Sequence, residues 1–208
     1  MSDETETEQQ HYFSADPTVA FRRELVTARV WGHDLSLASG SGVFARGRVD
    51  AGTAVLFRET EPPARDGVRR VLDLGSGWGV IGLAVATAVP SVEVTCVDVN
   101  ERALLLVREN AAALGLADRV TAALPAEVDP AATYDEIWSN PPIRVGKEAL
   151  HELLLTWLPR LAPGGRAVMV VGKNLGADSL QRWLDEQGWP TTRLASAKGF
   201  RVLETRRG

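Results

Sequence analysis

Apolar and polar residues alternate in two short segments near the start of the chain. ELVTARVW (24–31) and DLSLAS (34–39) lie on either side of the turn-like pair Gly32-His33, and this pattern predicts a β-hairpin. The next apolar-periodic segment, VDAGTAVLFRE (49–59), predicts a short helix with Asp50 as its N-cap. The chain is therefore expected to begin its folded part with a hairpin and a helix.

From Arg69 onward, short apolar and β-branched runs alternate with longer segments of helical period, as a parallel α/β sheet requires. The expected strands are 71–75, 92–98, 120–124, 134–139 and 166–172, and the expected helices are 79–88, 101–115, 147–162 and 176–187. Two further strands, 191–196 and 200–205, flank Ala197-Lys198-Gly199. They predict a closing hairpin that adds an antiparallel strand to a seven-stranded sheet.

Composition and charge narrow the class of protein. The 208 residues are 45% hydrophobic and 24% charged, which is typical of one globular domain. The longest apolar stretch, near Val80 to Pro90, has about half the ~20 residues that a membrane helix needs. The first ten residues carry four acidic side chains, no basic ones and no apolar segment, so we expect no secretory signal and a cytoplasmic protein. A lone cysteine, Cys96, and three scattered histidines predict neither a disulfide nor a metal site.

Three regions follow from these patterns. We expect an acidic, disordered tail over 1–15, a hairpin and lid segment over 16–60, and a cofactor-binding domain over 61–208. Basic residues concentrate toward both ends of the body of the chain, and acidic residues in its middle. That distribution is compatible with a bound polyanion and equally with solvated faces.

The segment VLDLGSGWGVIG (71–82) predicts a strand, a glycine-rich turn and a helix. In open parallel sheets, ligands bind beyond the carboxyl ends of strands, and glycines let the backbone approach them. Gly75, Gly77 and Gly79 would form that surface. However, GWGVIG (77–82) with Asp98 downstream also satisfies the G-x-G-x-x-G pattern of nicotinamide enzymes.

Two carboxylates favour a cationic nucleoside ligand over a dinucleotide. Asp73 ends the first strand of this domain, where an ammonium or sulfonium suits it better than a pyrophosphate does. Asp98 ends the second strand, where its oxygens can accept two ribose hydroxyls. A purely structural interpretation is that both aspartates only cap helices.

The segment Trp138-Ser-Asn-Pro-Pro142 ends the predicted fourth strand of the sheet. The prolines remove two backbone donors, so the carbonyl of Pro141 and the side chain of Asn140 can accept the two hydrogens of a planar amine. Such an amine would then be held in line with an electrophilic methyl group, and proximity would supply most of the acceleration. The segment could also be a plain turn.

These residues together resemble class I S-adenosylmethionine-dependent methyltransferases, specifically the small-subunit rRNA guanine-N2 methyltransferases and their single-domain relatives. The resemblance runs from His11 through six segments in order: HYFSADP, SGVFARGRVDAGT, VLDLGSGWGVIGL, VDVNERAL, WSNPPIRVGK and KNLGADSLQRWL. It implies a Rossmann-like seven-stranded methyltransferase sheet, S-adenosylmethionine as cofactor and ribosomal RNA as partner.

The resemblance also implies roles for single residues. The expected cofactor-binding residues are Asp73, Gly75, Ser76, Gly77, Gly79, Asp98 and Val99, and the residues expected to hold the target amine are Asn140, Pro141 and Pro142. Ile143 stands where the family usually has an aromatic residue and Arg144 where it usually has histidine. We therefore expect Phe44 to cover the base and Ile143 to give apolar contact. Arg144 and Lys147 are expected to contact RNA phosphates, and the alternative for Arg144 is a solvated side chain.

The expected reaction is methyl transfer to the exocyclic N2 of a guanine in 16S rRNA. A glutamine-amide methyltransferase would use the same Asn-Pro-Pro geometry, because an amide is also planar. The sequence is also compatible with a nicotinamide oxidoreductase and with a non-catalytic, RNA-associated cofactor-binding module.

Overall fold

A computed structural model describes residues 22–45, 47–63, 67–142 and 146–207. The predicted acidic tail, residues 1–15, lies outside the described residues. Nine strands occur in the described part: β1 Arg23–Val30, β2 His33–Gly40, β3 Arg70–Leu74, β4 Glu93–Val97, β5 Val120–Ala123, β6 Tyr134–Ser139, β7 Leu161–Gly172, β8 Thr191–Ala197 and β9 Phe200–Arg206. Five α-helices accompany them: α1 Ala51–Glu59, α2 Val80–Ala88, α3 Glu101–Ala113, α4 Lys147–Trp157 and α5 Ala177–Glu186.

Seven of these strands form one sheet in the order β5-β4-β3-β6-β7-β9-β8. The first five in that order are parallel, and β9 runs antiparallel to both β7 and β8. The chain moves outward from β3 to β5 and then returns to place β6 on the other side of β3. This reversal of strand order between β3 and β6 opens a crevice at their carboxyl ends, which is where open α/β sheets bind ligands.

The predicted fold class is confirmed, including the seven-stranded sheet, the antiparallel strand and the separate β1-β2 hairpin. The helix predicted over 49–59 is also confirmed, because α1 begins after Asp50, whose Oδ2 accepts the backbone N–H groups of Gly52 and Thr53. Hydroxyl and carboxylate caps of this kind satisfy backbone donors that a helix leaves unpaired.

The prediction for residues 147–162 is wrong at its carboxyl end. The helix stops at Trp157, a 3₁₀ turn covers Leu158–Arg160, and β7 begins at Leu161 rather than at 166. Pro159 cannot continue the α-helical hydrogen bonding. The segment Pro163-Gly164-Gly165 lies in a bulge of β7, where a Cβ on Gly165 would come within 2.9 Å of the Asp135 carbonyl oxygen. These residues therefore shape a strand and do not end the helix.

Successive side chains of the central strand β7 pack into two apolar layers, one on each face of the sheet. Val168 and Val170 pack in the layer that contains the hairpin and the helices α1, α2 and α3, whereas Met169 and Val171 pack in the layer of α4 and α5. Since successive side chains in a strand point to opposite faces, β7 contributes to both layers. The hairpin thus shares one continuous apolar cluster with the sheet.

Side-chain hydrogen bonds of two buried asparagines and a tryptophan connect the hairpin region to α3 and to the glycine turn. Asn110 of α3 accepts the N–H of Ala38 at 2.6 Å and donates to the carbonyls of Ala38 and Trp78 at 2.9 and 3.2 Å. Asn100 donates to the Gly42 carbonyl at 2.8 Å, and the indole of Trp78 donates to the Phe44 carbonyl at 3.1 Å. Buried backbone groups at this junction are paired through side chains, as burial requires.

A buried ion cluster ties β6 to β7 and β9. Glu136 of β6 is fully buried and pairs with Arg166 of β7 at 3.0 Å, and Arg166 pairs with Glu204 of β9 at the same distance. The indole of Trp138 also donates to Glu136. The cluster therefore holds the strand that leads into the Asn-Pro-Pro segment.

Within the described residues, no helix has both the length and the apolar character needed to cross a membrane.

We expect Asn110→Ala to lower the free energy of unfolding by about 2–4 kcal/mol, because it removes the partner of the half-buried N–H and carbonyl of Ala38 and of the buried carbonyl of Trp78. Urea unfolding measures the change. Asn174→Ala is the matched control, because Asn174 is exposed, and it should change the free energy by less than about 0.5 kcal/mol. Equal effects of the two variants would contradict the role given to Asn110.

Candidate active site

A cavity of about 240 Å³ lies at the carboxyl ends of β3, β4 and β6. The register of the sheet explains its position, because Asp73 of β3 pairs with Trp138 of β6, so the glycine turn and the Asn-Pro-Pro segment leave neighbouring strands side by side. The Ser139 hydroxyl also donates to the Leu74 carbonyl at 2.7 Å and joins the two strand ends. The residues that line the cavity are Phe44, Asp50, Leu74, Gly75, Gly77, Val97, Asp98, Val99, Asn100, Ala103, Pro125, Asn140, Pro141, Pro142, Leu153, Trp157, Gly172, Leu175 and Phe200.

The glycine turn presents bare backbone to this cavity. Gly75 and Gly77 have φ values of +70° and +54°, a region that residues with a Cβ rarely adopt. The turn is held by the N–H groups of Gly75 and Ser76, which both donate to the Val97 carbonyl at 2.9 and 3.0 Å. Gly79 has a different role, since a Cβ there would lie 2.9 Å from Val107; this glycine allows close packing against α3 and does not line the cavity.

Asp98 lies at the wall of the cavity with its carboxylate oriented by the backbone. Its Oδ2 accepts the Gly77 N–H at 2.8 Å and its Oδ1 accepts the Asn100 N–H at 2.9 Å. Burial raises the pKa of this carboxyl, and the hydrogen bonds from backbone amides oppose that shift. Each carboxylate oxygen retains acceptor capacity, so Asp98 can still accept the hydroxyls of a ribose.

Asp73 is fully buried beneath the turn. Its Oδ2 accepts the Gly82 N–H of α2 at 2.8 Å, whereas its Oδ1 has no partner among the described residues. Burial raises the pKa of Asp73 to about 7, the Gly82 N–H acts against that shift, and the nearby Asp98 adds to it. Binding the N–H of α2 is thus part of the role of Asp73, and one oxygen remains for another partner.

Asn140 is oriented by two residues at the start of α1. Its Nδ2 donates to Asp50 Oδ2 at 2.8 Å and to Thr53 Oγ1 at 3.0 Å. A reversed amide would place two oxygens against each other at Asp50, so the network determines the orientation. Both N–H groups of the amide are engaged, and Oδ1 is left without a donor from the described residues.

The structure brings together most of the predicted site residues. Eight of them line the cavity: Phe44, Gly75, Gly77, Asp98, Val99, Asn140, Pro141 and Pro142. Asp73, Ser76 and Gly79 lie behind its wall, and Lys147 is exposed at the first turn of α4. Ile143 and Arg144 lie outside the described residues. The ligand-binding roles of all these residues remain predictions.

Sequence reasoning missed the contribution of α1 and of the last hairpin. Asp50 was recognised only as a helix cap, and neither Thr53 nor Phe200 was singled out. The segment GRVDAGT (47–53) carried the available signal, because it adjoins the GVF loop within the resembling region. Conversely, Trp78 and Trp138 lie close in sequence to the site but are buried in the core and do not line the cavity.

These residues fit a cofactor with a cationic end and a ribose. Two buried polar atoms beside the glycine turn, Asp73 Oδ1 and Ser76 Oγ, have no hydrogen-bond partner among the described residues. An unpaired buried carboxylate is costly unless a cation or donor reaches it.

Among the described residues there is no group of three histidine, cysteine, aspartate or glutamate side chains that could hold a metal ion.

Comparison with known proteins gives three findings. The family model described as methyltransferase small domain matches residues 34–204. A Bacillus subtilis protein described as uncharacterized protein YbxB is 32% identical over 200 residues, which is 95% of this chain and 98% of that protein. The ribosomal RNA small subunit methyltransferase C of Chromohalobacter salexigens is also 32% identical over 200 residues, which is 93% of this chain and 58% of that protein.

The solved structures give the same result. A Thermus thermophilus 16S rRNA N2 G1207 methyltransferase in complex with AdoMet and guanosine superimposes with a TM-score of 0.76 and 26% identity. The match covers 93% of this chain and 52% of that one, so the chain spans about half the length of the rRNA methyltransferases it resembles. With the fold, the glycine turn and the family match in agreement, the chain belongs to the methyltransferase small domain family and is an S-adenosylmethionine-dependent methyltransferase.

Proposed function

We propose that the chain methylates the exocyclic N2 amine of a guanine in 16S ribosomal RNA. The observation that carries the proposal is the oriented amide of Asn140, which uses both N–H groups on α1 and its cap and keeps its Oδ1 as an acceptor. Pro141 and Pro142 follow in the same cavity wall. The names of the rRNA methyltransferases of similar sequence and fold support the same substrate.

The glycine turn and the two aspartates form the proposed cofactor side of the cavity. Asp98 would accept the ribose hydroxyls, and the carboxylate of Asp73, which is buried behind the cavity wall, would attract the ammonium of the amino-acid end from behind the glycine turn. When bound, S-adenosylmethionine would supply an electrophilic methyl group for transfer to the amine, which would release one proton to solvent. The leaving product is S-adenosylhomocysteine.

The Asn140 side forms the proposed substrate clamp. The N2 lone pair of guanine is conjugated with the ring, so the amine needs orientation more than it needs a strong base. Asn140 Oδ1 and the Pro141 carbonyl would accept its two hydrogens and direct the nitrogen toward the methyl group. Positioning of this kind supplies a large share of the barrier reduction in group transfer.

The base must leave its stack to reach this cavity. The N2 amine lies in the minor groove of a paired helix, and enzymes that modify a base usually extrude it or act on single strands. Phe44 would cover one face of the extruded base, because it lines the cavity and is 41% exposed. Lys147 is exposed at the start of α4, where it would contact RNA phosphates together with Arg144.

Mass spectrometry of nucleosides tests the proposal. Naked 16S rRNA and assembled small subunits are incubated with the protein and S-adenosylmethionine, and a release-factor protein is offered in parallel. Appearance of N2-methylguanosine in either RNA sample is the expected result. Methylation of glutamine in the release factor would identify a protein methyltransferase instead, and NADH binding without S-adenosylhomocysteine binding would identify an oxidoreductase.

Asn140→Ala should lower the rate of methyl transfer by about 10²- to 10³-fold, because the amine loses its oriented acceptor. Affinity for S-adenosylhomocysteine should change by less than about threefold, since Asn140 contacts the substrate side. Single-turnover assays and calorimetry measure the two effects. Gln187→Ala, at the exposed end of α5, serves as the control, and an unaltered rate in Asn140→Ala would remove Asn140 from the reaction.

Asp73→Asn should alter both stability and cofactor binding. A carboxyl whose pKa is raised to about 7 in the folded protein, from about 4 in the unfolded chain, binds its proton more tightly when folded. The wild type therefore loses stability as pH rises from about 4 to about 7, and this contribution is then constant. Between pH 5 and pH 8 this titration should lower the free energy of unfolding of the wild type by about 2–3 kcal/mol, and it should not affect the variant.

Urea unfolding across this pH range measures the slope, and calorimetry should show at least about tenfold weaker S-adenosylhomocysteine binding by Asp73→Asn. Asp118→Asn is the control, because Asp118 is exposed. If the stability of the wild type and of Asp73→Asn depends on pH in the same way, Asp73 does not have a raised pKa. If S-adenosylhomocysteine binding is undiminished, Asp73 does not contribute to cofactor binding.

A further inference from the structure

Asp50 lines the same cavity as Asn140 and is joined to it by a hydrogen bond. All three donors that reach Asp50 in the described part of the chain, the backbone N–H groups of Gly52 and Thr53 and the Nδ2 of Asn140, are bound by one oxygen, Oδ2. The second oxygen, Oδ1, receives no donor from these residues. A helix cap needs only one carboxylate oxygen, so capping does not account for the other.

The cavity therefore offers two acceptors from adjacent side chains, Asp50 Oδ1 and Asn140 Oδ1. Asn140 donates to Asp50 and to Thr53, and this network fixes the position of the amide relative to the carboxylate. Gly52 allows the close approach on this side, since a Cβ there would lie 3.0 Å from both Asp50 Oδ2 and a ring carbon of Phe200. The ring of Phe200 lines the same cavity and provides an apolar surface there.

Guanine is the nucleobase whose exocyclic amine lies next to a ring N–H, so it presents two adjacent donors to this pair of acceptors. Guanine has N1–H next to its N2 amine, whereas adenine and cytosine present a ring-nitrogen lone pair next to their exocyclic amines. A carboxylate accepts but cannot donate, so it favours guanine and repels the lone pair of the other two bases. The Asn-Pro-Pro clamp by itself recognises any planar amine and cannot make this distinction.

We propose that Asp50 is the residue that selects guanine, its Oδ1 accepting the N1–H of the base while Asn140 holds the N2 amine. This inference rests on the proposed function, because it assumes that the substrate is a base carrying an N2 amine. Asp50 contributes to specificity and also positions Asn140. The carboxylate thus links the start of α1 to the choice of base.

The test uses 2-aminopurine, which has an amine at the same position as guanine but a lone pair at N1. A short RNA is synthesised around the nucleotide mapped by mass spectrometry, with either guanine or 2-aminopurine at that position. Wild-type protein should methylate the guanine RNA about 10- to 100-fold faster, as expected for one lost hydrogen bond and one repulsive contact.

Asp50→Asn should reverse that preference. Asparagine is as good a helix cap as aspartate, and its carbonyl can still accept from Asn140 and the α1 backbone. Its amide nitrogen would then donate toward base N1, which suits 2-aminopurine and conflicts with the N1–H of guanine. Asp34→Asn, on the exposed hairpin, is the matched control and should retain the wild-type ratio.

The outcomes separate the two proposals. If wild-type protein methylates the guanine RNA but the ratio is the same in Asp50→Asn, the role of Asp50 is refuted and the proposed function stands. If wild-type protein methylates neither RNA, the proposed function is refuted, and the selection of guanine by Asp50 is refuted with it. Equal loss of activity on both RNAs in Asp50→Asn would show that Asp50 only positions Asn140, and would also overturn the selection of guanine.

Discussion

The pairing of β3 with β6 is the constraint on which the site depends. Because the strand order reverses at this pair, the glycine turn after β3 and the Asn-Pro-Pro segment after β6 leave the sheet next to each other. The two segments therefore line one cavity. The Ser139 to Leu74 hydrogen bond joins the two strand ends. The buried Glu136–Arg166–Glu204 cluster fixes β6 against β7 and β9.

The buried carboxyl of Asp73 carries an electrostatic cost. Asp73 is buried with one oxygen unpaired among the described residues, and its raised pKa reflects the loss of hydration. A charge buried without a partner destabilises the folded chain, so a cationic ligand at this position would both bind and stabilise.

The hairpin and α1 take part in the site although they precede the glycine turn by many residues. Asn110, Asn100 and Trp78 connect the hairpin region to the glycine turn and to α3 through side-chain hydrogen bonds to backbone groups. At the start of α1, Asp50 and Thr53 orient Asn140. The cavity is thus completed by the amino-terminal elements and does not belong to the parallel sheet alone.

The order of elements could be predicted from sequence because hydrophobic periodicity is local, and the pattern was sufficient for both hairpins, the parallel sheet and the helix capped by Asp50. The glycine turn and the Asn-Pro-Pro segment were recognisable for a similar reason, since each depends on residue types with distinctive backbone geometry.

The end of α4 was misplaced because Pro163-Gly164-Gly165 is compatible with a turn and equally with a bulged strand, and only pairing with β6 distinguishes them. Likewise, the contact of Asp50 with Asn140 spans 90 residues, and the burial of Asp73 depends on α2 packing against the sheet. Hydrogen bonds and desolvation between distant segments arise only when the chain is folded, so tertiary structure alone decided which side chains complete the site.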